Sequence, residues 1–186
     1  MAQIVPTITV ENAHVYREQV ERVEGFARRI HIDLMDGVFT PNKSVAPEAA
    51  WWPEGMKADV HVMFQEPANA IEVLLKLSPK LIIIPAESEF DFAQLQKFRT
   101  ESKAQFGVAL LPETSIASVQ GVLQQVDHLL IFSGNLGYQG GSVADLTLLE
   151  KVQQAKSINP NIEIGWDGGV NAENVRQLAD AGVDII

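Results

Sequence analysis

The stretch RRIHIDLMDGVF, residues 28–39, carries the reading that decides the fold. Ile30, Ile32 and Leu34 alternate with His31 and Asp33, and Asp36 follows, which is the two-residue period of a β-strand with one aliphatic and one ionisable face. On a sheet with one wet face the polar side would simply meet solvent. The rest of the chain argues against a wet face. Similar β-rich runs recur at 3–10, 57–64, 80–86, 104–111, 127–133, 162–167 and 183–186, making eight strands with 28–35. Between them, amphipathic segments at 68–77, 91–99, 115–126, 145–156 and 171–182, with weaker ones near 13–25 and 46–54, predict seven helices. Strict strand–helix alternation with nearly continuous apolar strands predicts a parallel sheet covered by helices. Eight such units predict a closed (β/α)8 barrel of the TIM type, one domain over residues 1–186. No Gly-x-Gly-x-x-Gly follows the first strand, which weighs against an open doubly wound sheet.

Composition narrows the function. Twenty-four acidic against fourteen basic residues give a net charge of −10, which argues against a nucleic-acid or anionic-membrane surface but leaves room for a local anion site built from backbone N–H groups. Cysteine is absent, so disulfides and thiolate metal sites are excluded and a cytoplasmic setting is expected. The start, MAQIVPTITV, lacks the basic and apolar regions of a signal peptide, and no apolar run approaches a membrane span.

In a barrel the polar strand face turns inward, so His31 and Asp33 are expected to point into the interior. The pattern returns in ADVHVM (58–63), where Val60 and Val62 face helices and Asp59, His61 and Met63 face in. It returns again in IEIGWDGGV (162–170), with Ile162, Ile164 and Trp166 outward and Asp167 inward, just before Gly168 and Gly169. Taken singly, a strand histidine is more often a hydrogen-bonded core residue and an aspartate before Gly-Gly more often a turn residue. Together, His31, Asp33, His61 and Asp167 fall toward the C-terminal ends of strands 2, 3 and 7, where barrel active sites are built. Two imidazoles and two carboxylates suit one divalent ion: zinc, iron, manganese or cobalt.

IHIDLMDGVFTPN (30–42), DVHVM (59–63), GNLGYQGG (134–141) and WDGGVNAENV (166–175), in this order across nearly the whole chain, resemble the successive motifs of the ribulose-phosphate 3-epimerase family. The resemblance implies that His31, Asp33, His61 and Asp167 bind the metal and that Asp33 and Asp167 are also the two acid/base groups. It implies that Thr7, in PTIT (6–9), stands at the substrate-contacting serine of the family's P-S-I-L pattern, and that Met35 and Met63 line the reaction centre beside His61. Two carboxylates make chemical sense, because inverting a carbon next to a carbonyl removes a proton from one face and returns one to the other. The phosphorylated ketose would be held by its phosphate at the glycine loops, with Gly137, Gly140, Gly141, Gly168 and Gly169 as the candidate contacts.

The sequence departs from the family pattern at several places. The usual N-P-G-F-G-G-Q has Leu136, Gln139 and Gly141 at its second, fifth and seventh positions; Phe132 replaces a methionine, Pro85 lies near a common histidine, and Ala46 replaces a glycine. The chain ends at GVDII (182–186), so the barrel is expected to lack the last loop and helix, with a homo-oligomer as one way to cover the strand. Two other functions fit the same residues: a non-catalytic sugar-phosphate-binding or scaffold barrel, and a metal-dependent hydrolase. Decarboxylation and aldol chemistry are disfavoured, since Lys57, Lys80 and Lys103 fall at strand beginnings.

Overall fold

Alternation along each strand sorts its side chains into two layers, and the two layers have different chemistry. The computed structural model describes residues 2–186. Among them, seven parallel strands form one curled sheet in sequence order: β1 (Thr7–Ile8), β2 (Arg29–Met35), β3 (Lys57–Met63), β4 (Leu81–Pro85), β5 (Gln105–Leu110), β6 (His128–Phe132) and β7 (Glu163–Asp167). Their outer residues, such as Ile30, Ile32, Val60, Ile82, Val108, Leu129 and Ile164, are fully buried in the main core. That core lies under α1 (Ala13–Glu24), α2 (Ala68–Leu75), α3 (Leu95–Glu101), α4 (Gln120–Leu123), α5 (Glu150–Ile158) and α6 (Val175–Asp180). None of these helices is long and apolar enough to cross a membrane.

The concave face has three levels. At the N-terminal ends of the strands Arg29, Asp59, His128 and Glu163 form a charged layer. Leu81, Ile83, Ala109 and Leu130 form a separate small apolar cluster. At the C-terminal ends lie the ionisable residues that the β2 alternation pointed to.

The elements differ from the sequence reading mainly at the two edges of the sheet. The run 3–10 yields only Thr7–Ile8 as strand plus a bridge at Gln3, because Pro6 has no N–H to give to a ladder. The run 183–186 yields a single residue, Ile185, that bridges both Gln3 and Gly165. Backbone N–H groups of Gln3 and Val5 donate to the carbonyls of Asp184 and Ile186 at 2.8 Å, and Trp166 N–H donates to Ile185 O at 2.9 Å, so this segment links β7 to the chain before β1. Near 46–54 there is a single 3-10 turn, Pro47–Ala49, in place of a helix. Pro53 biases Trp52 toward extended backbone, which leaves too few residues for a helical turn to propagate.

Candidate active site

The register carries the inward residues of β2 and β3 to the same height. Asp33 lies opposite His61 and Met35 opposite Met63, while across the β6–β7 pair Phe132 lies opposite Asp167. One ligand atom from each of His31, Asp33, His61 and Asp167 lies within 4.8 Å of all the others. Asp33 Oδ1 is 3.2 Å from His31 Nε2 and 3.3 Å from His61 Nδ1, and the two imidazoles meet edge to face. These approaches are not hydrogen bonds: His31 Nε2, Asp33 Oδ1 and both ring nitrogens of His61 are buried with no hydrogen-bond partner among the described residues. Buried polar atoms are normally paired. Four donors converging on a common point suit a divalent cation better than they suit one another.

Electrostatics separates the two carboxylates. Burial pushes the Asp33 pKa up, but the close approach and charge of His31 and His61 outweigh it and hold the carboxyl well below its ordinary range. Asp167 is pushed above its ordinary value, by burial first and then by the Asp33 charge. For His31, burial opposes charging, yet the Asp33 contact and the charges of Asp33, Asp167 and Asp59 lift its pKa to about 9.

Above the cluster opens a cavity of about 270 Å³ whose wall includes Thr7, Asp33, Met35, Met63, Phe132 and Asp167. Two loops form its rim. Gly168 and Gly169 both have positive φ, and a Cβ there would lie 2.3 Å from Gly134 N and 2.1 Å from Ala144 N, so only glycine lets the loop after β7 press against the loop after β6. The β6 loop is tied from its other side, where Asn42 donates its side-chain amide to Gly137 O at 2.7 Å and Gln139 Nε2 donates to Thr7 O at 3.3 Å.

Of the residues singled out in the sequence, Thr7, Asp33, Met35, Met63, Gly137, Gly140, Asp167, Gly168 and Gly169 line this cavity. His31 and His61 lie below it in the cluster. Gly141 is off the wall and exposed, because the chain turns outward at two successive positive-φ glycines; Ser142 lines the cavity instead. The sequence reading passed over Ser142 and Thr9. A signal for Thr9 existed: it shares the inward parity of Thr7 and puts a hydroxyl where the P-S-I-L pattern has leucine. A lysine also reaches the C-terminal end of the sheet, from a helix and not from a strand. Lys151, on α5, donates to the carbonyls of Leu111 and Pro112 at 3.0 and 2.9 Å, away from the cavity wall.

Fold and site together define a parallel α/β protein with two histidines and two carboxylates, able to hold a metal ion, clustered at the C-terminal ends of its strands. Residues 3–186 match the model of the ribulose-phosphate 3 epimerase family. Relatives include a ribulose-phosphate 3-epimerase of Helicobacter pylori strain J99, 30% identical over 99% of this chain and 87% of the relative. A chloroplastic ribulose-5-phosphate-3-epimerase of Arabidopsis thaliana is 31% identical over 98% of this chain and 68% of the relative. A Bacillus subtilis ribulose-phosphate 3-epimerase is 28% identical over the whole chain and 89% of the relative. The chain belongs to the ribulose-phosphate 3-epimerase family.

Proposed function

We propose that the chain interconverts D-ribulose 5-phosphate and D-xylulose 5-phosphate by moving a proton at C3, with Asp33 and Asp167 as the acid/base pair. The observation that carries this reading is that two carboxylates, from β2 and β7, reach one cavity from the same cluster as two histidines. Removing a proton from one face of a carbon and returning one to the other requires two such acid/base groups. In one direction Asp33 removes the C3 proton, the electron pair moves toward the C2 oxygen to give an enediolate, and Asp167 returns a proton to the opposite face. The reverse reaction exchanges the two roles.

His31, Asp33, His61 and Asp167 would hold the divalent ion, for which zinc, iron, manganese and cobalt all suit the donor set. A cation bound there supplies positive charge that favours the developing oxyanion. Met35 and Met63 wall the cavity without protons of their own to exchange. Thr7 offers a hydroxyl to the sugar, and the glycines of the two rim loops let backbone N–H groups approach the phosphate. The scaffold is read as one eight-stranded TIM-type barrel domain, supported by the hydrogen bonds through residues 184–186 that join the sheet edges.

The test is incubation of metal-loaded protein with D-ribulose 5-phosphate in deuterated water. D-xylulose 5-phosphate carrying deuterium at C3 is the expected product; binding without turnover would leave a sugar-phosphate-binding protein instead. Asp33→Asn and Asp167→Asn are each expected to lower kcat at least about a hundredfold, the low end for acid/base groups. Near-normal turnover in either variant removes that residue from its role.

A further inference from the structure

Parallel pairing of Thr7 with His31 and of Ile8 with Ile32 brings the next residue, Thr9, beside Asp33. Thr9 Oγ1 donates to Asp33 Oδ2 at 2.6 Å, in the short range of hydrogen bonds to an ionised acceptor. The other oxygen, Oδ1, faces His31 and His61 without a hydrogen bond. The two oxygens of one carboxylate are therefore differently committed. Among the described residues, the Asp167 side chain has no comparable hydrogen-bonded anchor.

We infer that Thr9 is a positioning residue for the epimerisation: its hydroxyl holds Asp33 Oδ2 so that Oδ1 stays turned to the two histidines and Oδ2 stays turned to the cavity. This rests on the epimerase reading above and deepens it. The torsion that orients an aspartate carboxylate is broad and roughly two-fold, so nothing within Asp33 itself selects this orientation. Threonine is stiff at χ1, and a donor carried on a stiff side chain restricts the acceptor it holds. Holding Oδ2 does not block it, since an ionised carboxylate offers about four lone-pair sites and one on Oδ2 remains for the substrate proton. Thr9 also lines the cavity, so the anchor sits beside the substrate and not behind a wall of core residues.

Thr9→Val, nearly isosteric, removes the donor and keeps the bulk; Thr9→Ser keeps the donor. Thr9→Val is expected to lower kcat by about 10–100-fold, the range for groups that orient metal ligands, with KM little changed because the phosphate and sugar contacts remain. Thr9→Ser is expected to retain most of the wild-type kcat. A second readout needs no turnover: titration with Mn2+ alone should show weaker binding for Thr9→Val, by about tenfold or more, and near-wild-type binding for Thr9→Ser. Wild-type kcat and Mn2+ affinity in Thr9→Val would overturn the inference. Equal losses in Val and Ser variants would also overturn it, because packing and not the hydroxyl would then be responsible. Should Thr9→Val fail to fold, Thr9→Ala against Thr9→Ser makes the same comparison. A wild-type protein that binds Mn2+ but does not epimerise sinks the functional reading, and the Mn2+ series then still decides whether Thr9 holds Asp33.

Discussion

At the scale of single residues, His31 carries the sharpest conflict. Burial disfavours its charged form, but the Asp33 contact and three carboxylate charges reverse the balance and raise its pKa to about 9. Near neutral pH, with no cation bound, the ring is therefore protonated, and a cation must displace that proton to reach the nitrogen. Metal binding at about pH 7 should release on the order of one proton per site, and affinity should climb with pH until about 9. Calorimetric titration in buffers of different ionisation enthalpy reads this directly; a binding enthalpy that does not depend on the buffer would refute it. The linked effect on stability has the opposite sense. The folded pKa lies above the ordinary 6.5, so the charged ring stabilises the cation-free protein below about 6.5, and that contribution is lost as pH rises through about 9.

At the scale of elements, β2, β3 and β7 were legible because their alternation places His31, Asp33, His61 and Asp167 on one face whatever the partner strands do. The contacts across strands were not legible. Thr9 meets Asp33 only through the β1–β2 register, and Arg29 meets Glu163 across 134 residues of sequence. The short helical segments ran longer in the sequence reading, since amphipathic spacing does not mark where a 3-10 turn replaces the first helical turn, as at Leu146–Leu149 before α5. Gly165 is another case. A glycine inside a strand ordinarily weakens it, yet a Cβ at this position would lie 2.5 Å from His128 Nε2 and 2.9 Å from Leu130 Cδ1. Gly165→Ala should destabilise the protein by about 1–3 kcal/mol through overpacking of the β6–β7 pair. His128→Ala makes room for the new methyl, so the double variant should be less destabilised than the two single losses added, with coupling of about 0.5–3 kcal/mol. Urea unfolding of the four proteins measures the cycle; strictly additive losses would show that the His128 ring is not what excludes a side chain at 165.

At the scale of the whole molecule, the charged layer at the N-terminal ends of the strands gives the site its floor. Arg29 Nε donates to Asp59 Oδ2 at 2.7 Å, and its two terminal nitrogens donate to Glu163 Oε1 and Oε2 at 3.0 and 2.8 Å. His128 Nδ1 joins Glu163 Oε2 at 2.9 Å, so β2, β3, β6 and β7 are tied at one level. His31 and His61 stand two residues above Arg29 and Asp59 on the same strand faces, and Asp167 four above Glu163, so a slip of any tied strand would misplace the cluster as well. Burial alone would raise the Glu163 pKa, but the His128 and Arg29 contacts and charges hold it well below the ordinary 4.5. A depressed carboxylate stabilises the fold above its unfolded value, about 4.5, and loses that contribution as pH falls toward the folded value. Glu163→Gln should therefore melt at a lower temperature than wild type at about pH 7, with the gap closing below about pH 4 as the carboxylate of the unfolded wild-type chain takes up a proton that the folded one refuses. Other carboxylates, Asp33 among them, destabilise both proteins together in acid, so the difference in Tm between the two isolates Glu163. A gap that stays constant from neutral to acid pH would mean that Glu163 holds the strands by shape and neutral hydrogen bonding, and that its charge contributes nothing to the floor on which the metal-type cluster stands.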